Sequence, residues 1–232
     1  MIRISVIGAA LLVELLVSVL QGLHPTWLIS GMGMTSHFLY NTLDSIRIQA
    51  EIYGDKKVAN LLMRLSEFYR LSVKEEASMV TLDDELEMLE AYMELMCYRY
   101  PNLKCEYDID PDLGDVLVPN FILQPLVENS LQHGLKNKSY QGSIAICVNQ
   151  GKNGLEIAIR DTGSGFAEGK KEMVDEMLLY YDKKEAKLEG NGIGILNVQK
   201  RIKWLCGSEY GLQYTENQTG GVTAHILLPV KR

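Results

Sequence analysis

The chain has 232 residues, 47% of them hydrophobic and 23% charged, which is enough for one sizeable core with a smaller helical module. The formal net charge of −7 argues against general nucleic-acid binding, so any phosphate site must be built locally and we expect no nucleic-acid partner. The four cysteines are scattered and form no CxxC pair, which indicates reduced intracellular thiols rather than disulfides or a zinc site.

The chain opens with a nearly continuous apolar run over residues 4–20, interrupted by Glu14. This length is at the lower limit for a membrane span, which needs about 17 to 25 residues. Glu14, Ser18 and Gln21 recur at helical spacing, so the run also fits a helix that packs against a partner. Membrane anchor and interaction helix both remain open. A signal peptide is less well supported, because no clear small-residue cleavage site is present.

A segment with one proline and several glycines, residues 22–36, separates this run from a helix that begins near Thr35 or Ser36. Apolar residues recur along that helix at spacings of four and three and predict a buried seam, formed by Leu39, Leu43, Ile46 and Ala50. His37 and Asn41 share the opposite face, so we expect an exposed imidazole with an amide one turn away. A neutral imidazole is a competent nucleophile, although the helical position alone also fits an ordinary surface histidine.

A second helix is predicted from about Lys56 to Lys74, after a turn at Gly54. Two adjacent helices that each carry an apolar stripe make a hairpin that cannot bury its apolar face alone. We therefore expect a dimer with a four-helix bundle. A third helix starts at Thr81, with Asp84 completing a capping pair, and carries a stripe of leucines and methionines that is typical of a core.

An apolar helix is predicted over residues 119–134, entered through Pro119 and ending at Gly134. It carries Glu128 and Asn129 side by side. Packing explains such a pair poorly, because each side chain would need a buried partner or a ligand. Asn129 supplies the kind of oxygen that magnesium prefers, and Glu128 is a possible base beside it.

Strands are predicted after residue 103, with helices between them, and this order indicates an α+β sandwich with a mostly antiparallel sheet. The strands are expected at 104–109, 143–148, 155–160, 210–216 and 221–229. A long polar loop or irregular helix is expected at 167–189, and a regular helix at 195–205.

Two glycine clusters occur in this part of the chain. Asp161 ends a strand, which suits a hydrogen bond to an exocyclic amine such as that of adenine, while Gly163 and Gly165 let the backbone approach the ring. The glycines of residues 190–194 open a helix whose N–H groups and dipole suit a phosphate chain. Each cluster alone is typical of an ordinary turn, but their ordered combination with Asn129 is more specific. No GxxxxGK[ST] occurs, so the site is not a P-loop.

The ordered set ENSLQHG, RDTGSGF and GNGIGILNVQKRI resembles the N, G1 and G2 boxes of the GHKL ATPases, which include histidine kinases, gyrase B and MutL. HFLYNTLDSI at 37–46 and TLDDELEMLEAYMELMCYRYPN at 81–102 are similar more narrowly to LytS/YesM-type bacterial sensor histidine kinases. The resemblance covers about residues 35–230. It implies an α+β fold, with a helical hairpin dimerisation module followed by a GHKL (Bergerat) α/β-sandwich ATP-binding domain with a mixed, mostly antiparallel sheet. The regions would be a leader and linker at 1–34, the phosphoacceptor helices at 35–100 and the ATP-binding domain at 101–232.

The resemblance also implies roles for individual residues. His37 would be the phosphoacceptor with Asn41 beside it, and Asn129 would bind magnesium next to the acidic Glu128. The other implied nucleotide-binding residues are His133, Gly134, Asp161, Gly163, Gly165, Gly190, Gly192, Gly194 and Asn197. Residues 167–189 would be a lid over ATP.

The activity that the resemblance implies is autophosphorylation of His37 from Mg-ATP, in cis or in trans, followed by transfer to an aspartate of a response regulator. It also implies a homodimer at the cytoplasmic face of a bacterial cell membrane. Two alternatives are a GHKL ATPase that works as a conformational clamp and a degenerate dimeric scaffold that binds nucleotide weakly. The chain departs from the family pattern at Ser36, where a proline is usual after an unbroken polar helix, and at Ser130, where alanine is more frequent.

Overall fold

A computed structural model describes residues 36–74, 78–181 and 192–232. These residues divide into two compact units. The helical unit contains α1 (Ser36–Ile52), α2 (Lys56–Lys74) and residues Glu90–Tyr98. The sheet unit contains residues 78–89 and Arg99–Arg232. Helix α3 (Leu82–Arg99) contributes Glu90–Tyr98 to the helical unit and its other residues to the sheet unit.

The helical unit is built on the predicted hairpin of α1 and α2. The turn between them is made at Gly54, whose φ of +76° is readily adopted only by glycine. Leu43 and Ala50 of the predicted seam are buried. Phe68 of α2 is also buried and contacts Tyr92, with ring centroids 5.7 Å apart. The spacing of apolar residues thus correctly identified both helices and their contact.

The sheet unit contains a five-stranded sheet and a short strand pair. Strand β1 (Met79–Thr81) pairs antiparallel with β3 (Leu117–Pro119). The larger sheet has the order β2 (Leu103–Ile109), β4 (Gly142–Gln150), β5 (Leu155–Asp161), β7 (Val222–Leu228) and β6 (Gly211–Glu216). Its β2–β4 pair is parallel and the other three pairs are antiparallel. This confirms the predicted mixed, mostly antiparallel sheet.

The core of the sheet unit follows the alternation of each strand. Ile144, Ile146 and Val148 of β4 are buried, as are Ile157 and Ile159 of β5. The helices of this unit are α4 (Gln124–Asn129), α5 (Lys170–Leu179) and α6 (Gly192–Cys206). All four cysteines are free thiols. The α+β architecture inferred from the sequence is confirmed.

The largest correction concerns the helix predicted over 119–134. Pro119 ends strand β3, and helix α4 begins only at Gln124. The N–H groups of the intervening loop are bound by the carboxylate of Glu85, a partner from a distant part of the chain. The helix then widens into a π-helical segment, Ser130–Leu135, instead of stopping at Gly134.

Two other helices also differ from the prediction. Helix α6 starts earlier than predicted, at Gly192. Helix α5 is a regular helix within residues 167–189, which were predicted to be a loop or irregular helix.

No helix in the described part of the chain is both long and apolar enough to cross a membrane. The apolar run at 4–20 and the glycine-containing segment up to residue 35 lie outside the described residues.

Candidate functional site

A cavity of about 650 Å³ lies in the sheet unit, between the loop after β5 and the helices α4, α5 and α6. Five of the residues singled out from the sequence line it: Asn129, His133, Gly134, Asp161 and Gly165. They come from two segments that are distant in the chain, the end of α4 with its π-helical segment and the end of β5 with its loop. The fold thus brings five of the predicted nucleotide-binding residues together on one concave surface.

The π-helical segment explains why Asn129, His133 and Gly134 all reach the cavity. In such a segment the backbone bonds run from i to i+5, so a residue shares a face with those four and five positions later. The amide nitrogen of Asn129 donates a 2.7 Å hydrogen bond to the carbonyl oxygen of Pro125. This bond uses the amide nitrogen and orients the side chain, so the amide oxygen is the atom that suits a magnesium ion.

Glu128 does not line the cavity, although it is adjacent to Asn129 in the chain. Its carboxylate is half-buried and accepts a 2.8 Å hydrogen bond from the side-chain nitrogen of Gln124. Burial raises the pKa of Glu128 to about 7, and the hydrogen bond from Gln124 opposes this rise. A carboxylate with such a pKa can accept a proton near neutral pH.

Asp161 is 3% exposed and forms the polar centre of the cavity wall. Its Oδ1 accepts hydrogen bonds from the N–H groups of Gly163 at 2.8 Å and Val222 at 3.2 Å. Burial raises the pKa of Asp161, whereas these two bonds, the Ser130 hydroxyl and Lys138 favour the ionised form. A carboxylate has room for more donors than these, so Asp161 can still accept a bond from an amine of a ligand.

Gly134 and Gly163 are held against each other. A Cβ atom on Gly163 would overlap the backbone of Gly134, and one on Gly134 would lie 2.8 Å from Oδ1 of Asp161. The N–H of Ser164 donates to the carbonyl oxygen of Gly134 at 3.0 Å. Lys138 reinforces the loop, because its Nζ donates to the carbonyl oxygens of Thr162 and Gly163 at 2.7 and 2.8 Å.

The remaining predicted residues are less closely grouped. Gly192 and Gly194 belong to the first turn of α6, and a Cβ on Gly194 would come no closer than 3.8 Å to Pro125. Asn197 is exposed and does not line the cavity. Gly190 lies outside the described residues. His37 and Asn41 lie one turn apart in α1 of the helical unit, where Asn41 is exposed.

Tyr214 is a cavity residue that the sequence patterns did not single out. It is 7% exposed and contacts Phe166 edge-to-face, with ring centroids 6.1 Å apart. Its hydroxyl is buried and has no hydrogen-bond partner among the described residues. Burial, and then the charge of Asp161, raise the pKa of this phenol. Alternation along β6 places Tyr214 on the same face as Leu212, which was the available signal.

A positively charged side chain also borders the cavity. Lys170 lines it at the start of α5, near His133. Burial lowers the pKa of His133, and the charges of Lys170 and Lys136 lower it further, which favours the neutral imidazole. The cavity therefore combines a buried carboxylate with amide, imidazole and ammonium groups, which suits a ligand that carries both an amine and an anionic group.

Two family models match the chain. The model for histidine kinases matches residues 32–103, and the model for histidine kinase-, DNA gyrase B- and HSP90-like ATPases matches residues 114–232. The sensor protein LytS of Oceanobacillus iheyensis is 34% identical over 82% of this chain and 32% of its own length. The sensor histidine kinase YesM of Bacillus subtilis is 30% identical over 84% of this chain and 32% of its own length. The chain thus spans about a third of the length of these relatives.

A solved structure shares the fold. The catalytic domain of histidine kinase ThkA superposes with a TM-score of 0.50, at 15% sequence identity, and the match covers 66% of this chain and 97% of that domain. At this identity the likeness concerns the fold alone.

Proposed function

Because the chain belongs to the histidine kinase-, DNA gyrase B- and HSP90-like ATPase family and a histidine kinase region precedes that domain, we propose that it is the kinase part of a two-component sensor histidine kinase. The observation that carries the proposal is the cavity in which Asn129, Gly134, Asp161 and Gly165 meet. Its reaction is ATP-dependent phosphorylation of a histidine on the protein itself.

We infer one orientation of ATP in the cavity from the residues that line it. The buried carboxylate of Asp161 would accept a hydrogen bond from the adenine amine. The phosphates would then be bound by backbone N–H groups of the first turn of α6, which contains Gly192 and Gly194. Magnesium bound by the amide oxygen of Asn129 would neutralise part of the phosphate charge. His133 and Lys170 add polar and positive groups at the same cavity.

The phosphoryl group goes to His37 in this proposal. A ring nitrogen of His37 forms a bond to the γ-phosphorus as the bond to the β–γ bridging oxygen breaks, and ADP leaves with that electron pair. In this proposal Asn41, one turn later in α1, holds the imidazole in its reactive orientation, and Glu128 accepts the proton that the imidazole loses. The acceptor in the next step is an aspartate in the receiver domain of a response regulator.

The domain organisation proposed with this function has a leader at 1–34, phosphoacceptor helices at 35–100 and the ATP-binding domain at 101–232. A homodimer through the helical region is supported by large apolar side chains that the helical unit leaves exposed. They are Ile48 at 43% exposure, Ile52 at 75%, Tyr53 at 74% and Met63 at 49%. We place the kinase at the cytoplasmic face of a bacterial membrane, with residues 4–20 as its point of association.

Incubation of the purified protein with γ-labelled ATP and magnesium tests the function. We expect a labelled protein whose phosphate is stable in base and labile in acid. His37→Gln should abolish the label and leave ATP binding within about twofold of wild type, because His37 lies outside the sheet unit. His225→Gln is the matched control, since His225 lies on β7 away from the cavity residues, and it should keep the label.

Two results would contradict the assignment. Label that survives His37→Gln would place the phosphoryl group elsewhere. Release of inorganic phosphate by wild type without any labelled protein would favour an ATPase that works as a conformational clamp.

A further inference from the structure

The loop before helix α4 is held by a carboxylate that comes from helix α3. Glu85 is 1% exposed, and its two oxygens accept hydrogen bonds from the N–H groups of Phe121, Ile122 and Leu123 at 2.9, 2.8 and 2.9 Å. Burial raises the pKa of Glu85, while these three bonds favour its ionised form. Burying a carboxylate is costly unless its oxygens accept hydrogen bonds in this way.

These bonds replace a local helix cap. Leu123 occupies the N-cap position of α4, and no side chain of the loop itself caps the helix. The first N–H groups of a helix need acceptors from outside it, and Glu85 supplies one across the fold. Phe121 has a φ of +58°, a conformation that costs energy for a residue with a side chain, so the surrounding contacts must impose it.

A second side chain holds the same loop from helix α6. The guanidinium of Arg201 donates a hydrogen bond to the carbonyl oxygen of Asn120, which is 5% exposed. Its charge also favours the ionised form of Glu85. The loop of residues 120–123 is thus fixed at its first carbonyl by Arg201 and at its next three N–H groups by Glu85.

Further hydrogen bonds connect this loop to Asn129. The carbonyl oxygen of Leu123 accepts the N–H groups of Leu126 and Val127, each at 3.1 Å. The carbonyl oxygen of Pro125, in the same turn, accepts the side-chain amide of Asn129 at 2.7 Å. The position of Asn129 on the cavity therefore depends on where the first turn of α4 is held.

We propose that Glu85 and Arg201 are positioning residues of the nucleotide site, which together hold loop 120–123 and so place the amide oxygen of Asn129 for the metal end of the nucleotide. This proposal rests on the proposed function, in which Asn129 binds magnesium. Asp161, at the base end, is held instead by Gly163 and Val222, so it does not depend on this loop.

The test measures ATP affinity with magnesium and with EDTA in the full chain, at a temperature where circular dichroism shows every variant folded. Glu85→Gln keeps the size of the side chain but turns an N–H group towards donors, and Arg201→Met removes the bond to Asn120. In both variants we expect the gain in affinity that magnesium provides to fall about tenfold, with the EDTA value within about twofold of wild type. Glu87→Gln and Lys200→Met, at exposed neighbouring positions, are the matched controls and should retain the gain.

If the two residues only stabilise the fold, the variants should have a lower melting temperature and an unchanged gain in ATP affinity from magnesium. Alternatively, ATP affinity should fall equally with magnesium and with EDTA. Either result overturns the proposal. If Glu85→Gln does not fold, the measurement on Arg201→Met alone decides between the two roles, because Arg201 is only half-buried. Failure of the proposed function is distinguishable, because the labelling of wild type and His37→Gln tests it separately. Wild type without magnesium-dependent ATP binding would show instead that the metal role of Asn129 is wrong.

Discussion

The side-chain nitrogen of Gln124 lies 2.8 Å from Oε1 of Glu128, one turn along α4. Burial favours the neutral form of this carboxyl group and the hydrogen bond favours the charged form, and burial is the stronger of the two effects. The resulting pKa of about 7 means that Glu128 changes its protonation state near neutral pH.

We expect Glu128 to make stability depend on pH. Because its pKa is raised from 4.5 to about 7 on folding, the folded protein retains a proton that the unfolded chain has lost between these values. Stability contributed by this group is full below pH 4.5 and is lost as pH rises through 7, by about 1 to 3 kcal/mol. Urea unfolding of wild type and Glu128→Gln from pH 5 to 8 checks this.

Glu128→Gln should be more stable than wild type at pH 8 and should lack this part of the pH dependence. Parallel stability curves for the two proteins would show that Glu128 has an ordinary pKa.

In the phosphorylation assay, wild-type labelling should rise as pH passes through 7, because only the ionised carboxylate accepts a proton.

Asp161→Asn should weaken ATP binding by about 10- to 100-fold, the usual cost of losing a hydrogen bond to a charged group. The asparagine oxygen can still accept the N–H groups of Gly163 and Val222, so the fold should be retained. Isothermal calorimetry measures the change, with Asp108→Asn on the exposed part of β2 as the control. Wild-type affinity in Asp161→Asn would remove Asp161 from the base-binding role.

Two glycine substitutions should behave in opposite ways. Gly163→Ala should destabilise the protein by at least about 2 kcal/mol, because its methyl group overlaps the backbone of Gly134. Gly194→Ala meets no close neighbour, so the ligand-free protein should gain about 0.5 kcal/mol from helix propensity. If phosphates approach the first turn of α6, Gly194→Ala should nevertheless bind ATP at least about fivefold more weakly. Unchanged affinity would argue against that location.

Tyr214→Phe should stabilise the ligand-free protein by about 1 kcal/mol. The phenol oxygen is buried without a partner among the described residues, and an unsatisfied buried polar group lowers stability. Removing it leaves the ring and its contact with Phe166 unchanged. Urea unfolding gives the difference, and a loss of stability would show that the hydroxyl does have a partner.

Patterns with a short period were readable from the sequence. Alternation predicted β4 and β5, and a four-and-three spacing predicted α1. The grouping of Asn129 with Asp161 followed from the order of motifs rather than from any local pattern. These features depend on neighbours within a few residues, or on a motif order that is visible in the chain.

The loop before α4 could not be predicted in the same way. Its acceptor, Glu85, lies 36 to 38 residues earlier in the chain and looked like one more acidic residue at the start of α3. The pairing of β1 with β3 joins two strands of three residues each, too short for alternation to mark them. Both features depend on contacts that exist only after folding.

The close approach of Gly134 to Gly163 has a consequence for inhibitor design. Around these glycines the cavity wall is backbone against backbone, tied by the bond from Ser164 to Gly134 and by the bond from Gly163 to Asp161. Neither glycine has a side chain that could change rotamer, so the shape of this part of the wall changes only if the backbone moves. A rigid bicyclic amine anchored on Asp161 can therefore be designed against this wall as a fixed template, with little ordering cost on the protein side.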